Sequence, residues 1–185
     1  MKIKFVDAAK IRNTLDTDFS GYGTAEFYLY IPKGEIWLDK CLRDETRHYV
    51  ALTKLYSKMR KEPFRKIREA AKKLLTIKNV DGLIERKRER VGKYTVVYID
   101  GGSVRAHLDP YFELGGHHLV YDYVPKNEIW VDAKTEPKDW KYTVIHEIEE
   151  HKRMSGGMSY SDAHDYAMAA ERVARRHDGV ANFFR

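Results

Sequence analysis

The chain carries one segment twice. "YLYIPKGEIWLD" (28–39) and "YDYVPKNEIWVD" (121–132) share Tyr, Tyr, Pro-Lys, Glu-Ile-Trp and Asp at a constant offset of 93. The same offset runs upstream without a gap: Asp7, Arg12, Leu15, Asp16, Phe19 and Gly23 match Asp100, Arg105, Leu108, Asp109, Phe112 and Gly116. It runs downstream from Tyr49 to Tyr142, then slips by two or three residues, so that Met59 faces Met154 and Phe64 faces Tyr160. A repeat of this kind requires each copy to be one supersecondary unit able to pack against its neighbour. Whatever fold the first copy takes, the second must take as well.

Local chemistry predicts the unit. A strand ends at Asp7 or Asp100 and a short helical or looped piece follows. A hairpin comes next, 27–31 with 35–39 and 118–124 with 128–132. It turns on Pro-Lys-Gly and Pro-Lys-Asn, with Gly34 and Asn127 at the left-handed position. Two helices close each copy, 44–60 with 63–76 and 139–154 with 160–176. Gly156-Gly157 breaks the last pair, and Ser159 with Asp162 caps the final helix. The expected fold is α+β, an internal duplication of a strand-hairpin-two-helix unit in two pseudo-twofold-related lobes. Residues 1–79 form the first repeat, 80–93 a linker and 94–185 the second repeat. The duplication builds a twofold into one chain, which favours a monomer over a dimer.

Residues common to both copies serve the scaffold, and those that differ are candidates for function. Glu-Ile-Trp occurs in both and reads as structure, with Trp a core anchor. Histidine does not: seven of the eight, His107, His117, His118, His146, His151, His164 and His177, lie in the second copy. Charge divides too, with 23 Lys and Arg against 13 Asp and Glu in residues 1–93, and 11 against 15 in residues 94–185. One half is basic and poor in histidine, the other acidic and rich in it, which suggests divided labour.

The histidines concentrate the chemistry in "VIHEIEEHKRM" (144–154). A helix puts residues i and i+4 on one face, so His146 and Glu150 can reach one ion, and Glu147 can point toward a water on it. This is the spacing of His-Glu-x-x-His metal sites, with Glu in place of the second His. His164, on a helix with a stripe of Ala163, Ala167, Ala170 and Ala174, is the candidate third ligand. Glu171 lies on the same face as a fourth ligand or a supporting carboxylate. His151, off the His146–Glu150 face, would pair with Glu147 if with anything. The competing reading is a charged helix flank, since Tyr142, Val144, Ile145 and Ile148 mark the buried arc. One cysteine, Cys41, excludes a multi-cysteine zinc site, so any ion must use His and carboxylate ligands.

"PKNEIWVD", "HEIEEHKRM", "YSDAH" and Glu171 resemble a pattern in small uncharacterised proteins of phages and archaeal mobile elements. Its parts run Pro-x-x-Glu-Ile-Trp-Asp, His-Glu-x-x-Glu, Met, Tyr-x-x-Ala-His and Glu. The resemblance covers most of the second copy and only the scaffold of the first. It implies a zincin-like site, with His146, Glu150 and His164 as ligands and Glu147 as general base.

Residues 54–93 hold 15 Lys or Arg against five Asp or Glu, a local excess that favours polyanions. Lys72, Lys73, Arg86, Lys87, Arg88 and Arg90 are the candidate nucleic-acid contacts, although no DNA- or RNA-binding signature accompanies them. The absence of Gln, with only four Asn, is a thermophile-like bias. No run approaches the roughly 20 apolar residues of a membrane span, the opening "MKIKFVD" reads as a strand rather than a signal peptide, and a single cysteine fits a reducing compartment. A cytoplasmic protein without a membrane partner is expected. The leading expectation is a divalent-metal-dependent hydrolase-like protein using Zn²⁺, or Mn²⁺ or Fe²⁺, on an unknown substrate. The alternative is a non-enzymatic nucleic-acid-binding or structural accessory protein.

Overall fold

The computed structural model describes residues 1–73, 75 and 82–181. It is an α+β fold with two sheets. In the first, β1 (Lys2–Val6) runs parallel to β3 (Glu35–Asp39), and β2 (Tyr22–Thr24) pairs antiparallel with the other edge of β3. In the second, β5 (Tyr94–Ile99) runs parallel to β7 (Glu128–Asp132), and β6 (Gly115–His117) pairs antiparallel with β7. The registers correspond residue for residue: Lys2 faces Glu35 as Thr95 faces Glu128, and Tyr22 faces Leu38 as Gly115 faces Val131.

The strands end where an acid can cap. Asp7 accepts from the Lys10 amide to open α1 (Ala8–Thr14), and Asp100 accepts from the Ser103 amide to open α4 (Gly101–His107). Gly101-Gly102-Ser103 is therefore the first turn of a helix. In each copy the Trp indole donates to the Glu two residues before it, Trp37 to Glu35 and Trp130 to Glu128. Glu-Ile-Trp is scaffold, as its presence in both copies suggested.

The expected hairpin partners are displaced. Residues 27–31 and 118–124 do not pair with the strands that follow them; β2 and β6, a few residues earlier, take that place. The intervening segment coils back through turns, with Tyr28 N–H donating to Thr24 O and Tyr121 N–H to His117 O. Gly23 and Gly116 make this possible, since a Cβ at either would lie 2.4 Å or 2.3 Å from the Tyr28 or Tyr121 ring. The alternating tyrosines of these segments pack against one another at a tilt, with ring centroids 5.5 Å apart for Tyr28 and Tyr30 and 5.4 Å apart for Tyr121 and Tyr123. Gly34 and Asn127 do adopt positive φ, 83° and 66°.

The expected linker 80–93 also changes character. Residues 80 and 81 lie outside the described residues, but Glu85–Val91 form β4, antiparallel to β5, giving the second sheet the order β4-β5-β7-β6. Six consecutive charged residues, 85–90, form a strand that is exposed along most of its length. The helices fall close to expectation: α2 (Thr46–Met59), α3 (Phe64–Lys72), α5 (Trp140–Ser155) and α6 (Tyr160–His177). Ser159 caps α6 through the Asp162 amide. Among the described residues no helix is long and apolar enough to cross a membrane.

Two buried arginines join the copies. Arg12, 1% exposed, donates to Phe19 O in its own copy and to Asp139, at the start of α5 in the other, at 2.8 and 2.5 Å. Arg105, 2% exposed, donates to Phe112 O and Asp132 in its own copy, and through two nitrogens to Glu45 at the start of α2, at 2.6 and 2.7 Å. Removing one partner of a buried pair leaves an uncompensated charge. Arg105→Leu, which leaves Glu45 with Lys134 alone and buried Asp132 with only two backbone amides, is expected to lower the unfolding free energy by about 3–5 kcal/mol, measured by urea denaturation of the metal-free protein.

Candidate metal centre

α5 packs on β6 and β7, and α6 folds back along α5 after the Gly156-Gly157 turn, with Gly157 at φ 90°. Ala163 and Ala167 are fully buried, so the small-residue stripe does admit the close approach. The covered face of α5 is more polar than its pattern suggested. Tyr142 and Val144 are buried, but so are Thr143, Glu147, Glu150 and His151, whereas Ile145 and Ile148 are only partly covered. A charged flank exposed to solvent is not what forms.

Three expected ligands meet across the two helices. His146 Nε2 lies 3.2 Å from His164 Nδ1 and 3.7 Å from Glu150 Oε2, and His164 Nδ1 lies 3.0 Å from the same oxygen. Ligands about 2.0–2.1 Å from a tetrahedral ion stand about 3.3 Å apart, so this triangle already has the edge lengths of such a site. His146, Glu150 and His164 form a group that could hold a metal ion.

The far side of each imidazole fixes its tautomer. His146 Nδ1 sits 3.0 Å from Glu171 Oε2, and His164 Nε2 sits 3.2 Å from Asp18 Oδ1. Each of those nitrogens donates its proton to a carboxylate, which leaves the other with a lone pair facing the centre. Two lone pairs 3.2 Å apart repel unless a cation or a proton lies between them. Glu171 therefore supports a ligand, and Arg175 Nε holds it at 2.9 Å while reaching Asp139 at 2.6 Å.

Two participants escaped the sequence. His117, fully buried on β6, places Nε2 3.1 Å from Glu150 Oε1. Its Nδ1 accepts the Leu119 amide at 3.3 Å, so Nε2 carries the proton and donates. Although His117, Glu147 and Glu150 also converge, that tautomer makes His117 a support that turns the other Glu150 oxygen toward the centre. Thr24 stands opposite His117 in the first copy, the same contrast that singled out His146. The second is Asp18, from the first copy and 146 residues from its partner His164.

Glu147 is buried, lines the cleft, and has no hydrogen-bond partner for its carboxyl among the described residues. Burial and repulsion from Glu150, partly offset by His146, raise it to about 7. His151 takes no part: its Nδ1 meets the Tyr94 hydroxyl at 3.0 Å and not Glu147. The basic candidates are divided between α3 and β4, and most are paired. Arg86 binds Asp100, Lys87 binds Glu89, Arg88 binds Glu85 and Glu128, Arg90 reaches Thr95, and Lys72 lies 3.9 Å from Asp109. Lys73 is exposed. Arg86 to Arg90 belong to the second sheet, so they are not part of a first-copy surface.

No protein-family model, curated protein or solved structure matches the chain. The chemistry of the site has to be read from its own residues.

Without a metal, the cluster gathers protons. His146 is raised to about 10, because contacts with Glu150 and Glu171 outweigh burial, and His164 to about 9 by Asp18 and Glu150. Burial would raise Glu150, but its three histidine partners hold it well below the usual carboxylate range. Raised histidines are protonated in the folded protein below about pH 9, and a divalent ion must displace those protons. Affinity for a Zn²⁺ probe is therefore expected to rise with pH between 6.5 and 8.5 by about 10- to 100-fold per unit, as one or two protons leave. Competition titration against a chelating dye measures it. Asp18→Ala should weaken the same affinity by about 10- to 100-fold. Because Asp18 is exposed, losing its pair with His164 should cost the metal-free protein no more than about 1 kcal/mol.

Proposed function

We propose that the chain is a divalent-metal-dependent hydrolase, its ion held by His146, Glu150 and His164. The observation that carries this reading is the pairing of a preformed ligand triangle with an unpartnered, buried Glu147 opening on the same cleft. Two imidazoles and one carboxylate are a common catalytic zinc set and leave a coordination position open. Mn²⁺ and Fe²⁺ accept the same donors. A bound ion supplies Lewis acidity and makes water a nucleophile near neutral pH.

The protein supplies the remainder. Glu147, next to His146 on α5 and lining the same cleft, is placed to accept a proton from the attacking water and return it to the leaving group. Gly115 leaves it room: a Cβ there would stand 3.1 Å from Glu147 Oε1. His117, Glu171 and Asp18 hold the three ligands in position. The cleft above them, about 100 Å³, admits the reacting atoms of a substrate and little more.

Elemental analysis of untagged protein tests the metal, with one equivalent expected in the wild type and none in the His146→Ala, His164→Ala double variant. No metal in either, after dialysis against Zn²⁺, would defeat the proposal. Glu147→Gln should keep its metal and lose hydrolytic turnover by about 10²- to 10⁴-fold, assayed on fluorogenic peptide and phosphodiester probes.

A further inference from the structure

We infer that the substrate is a peptide carrying a bulky apolar side chain beside Lys or Arg. The inference rests on the metal-hydrolase reading for its chemistry but on separate residues for its evidence. The first observation is charge. Asp18, Glu113, Glu147, Glu150 and Glu171 all line the cleft, and among the described residues no Lys or Arg does. Arg175 compensates Glu171 from behind the lining, and desolvation in the cleft raises Glu113 and Glu147 to about 7; with a divalent ion in place, the lining offers no further cation. A phosphodiester would bring further negative charge into this lining without the cations that normally neutralise phosphate. An amide brings none, and a neighbouring Lys or Arg is attracted.

The second observation is a groove of about 490 Å³ that opens from the cleft and shares Glu113, Val120, Tyr121 and Tyr160 with it. Its walls expose apolar surface to solvent, with Phe64 51%, Tyr160 50% and Leu119 40% exposed. Three such side chains around one concavity beside a reaction centre form a pocket for an apolar group. The groove's only cation among the described residues, Arg68, is engaged by buried Asp109. Glu113 lies where groove and cleft meet and is exposed, so a basic residue next to the apolar one would meet it.

The test is binding by the full chain carrying Glu147→Gln, loaded with Zn²⁺, read by fluorescence anisotropy. Four labelled probes are compared: a short peptide with Phe flanked by Lys, the same peptide with Glu for Lys, the same with Gly for Phe, and single-stranded oligothymidylate. The Phe/Lys peptide is expected to bind at least about tenfold more tightly than each of the others. Adding Phe64→Ala with Leu119→Ser should remove about tenfold for the Phe peptide and nothing for the Gly peptide. Glu113→Gln should narrow the preference for Lys over Glu. Equal affinities among the peptides, oligonucleotide binding as tight as the peptide, or no binding overturns the inference. Metal content measured on the same preparations separates the two ideas. Metal present without discrimination defeats the substrate class alone. Metal absent defeats the hydrolase, and the peptide titration is then judged by the same criteria on the metal-free protein.

Discussion

Two reciprocal arginine contacts hold the architecture together. Each arginine leaves a short helix opened by an aspartate cap, binds a carbonyl in its own copy, and reaches an acid at the start of a long helix in the other. Neither could be buried alone, since an isolated charge in an apolar interior is prohibitively costly. Their burial therefore requires both copies to be packed together. The consequence extends to the candidate site. Arg12 and Arg175 share Asp139, Arg175 holds Glu171, and Glu171 fixes the proton on His146. A contact between copies thus sets the orientation of a ligand.

The same scaffold yields a cleft in only one copy, and the difference is largely one of volume. Tyr22 in β2 stands where Gly115 stands in β6. Its ring packs on Tyr49 and its hydroxyl meets Thr53, the residue opposite His146, at 2.8 Å. The crevice lined by Tyr22, Tyr49 and Leu52 is reduced to about 10 Å³, against about 100 Å³ beside Gly115. Replacing a tyrosine by glycine at an edge strand makes room for Glu147. Placing histidines opposite Thr24 and Thr53 then lines that room with ligand and support. In the first copy the Tyr22–Thr53 hydrogen bond fills the same position.

Much of this was legible in the sequence because it is local. Helix spacing placed His146 and Glu150 on one face, the Ala stripe brought α6 close enough for His164, and the repeat identified the Trp-bearing strand as scaffold. What escaped depends on tertiary contacts. Alternating tyrosines satisfy a strand pattern and a tilted aromatic pair equally well, and only the ring lying over Gly23 or Gly116 decides between them. The unbroken charged run 85–90 looks like a linker until β5 offers a partner. His117 was visible as a difference between copies but lacked a helical spacing to recommend it. Asp18 had no signal at all, because its role depends on two lobes meeting.

His164 is fixed from the first copy by Asp18, and His146 from the second by Glu171, so the triangle keeps its dimensions only while the two copies keep their relative position. An ion that binds only the folded form stabilises it by mass action, about 2.7 kcal/mol at a hundred times its dissociation constant. Here that energy would act on the interface between copies as well as on the helices carrying the ligands. The first copy, which supplies none of the three candidate ligands, is in this sense part of the candidate metal centre. Its Thr17, Asp18 and Ser20 also wall one side of the cleft, so loss of the first copy would remove both a support and a boundary of the site.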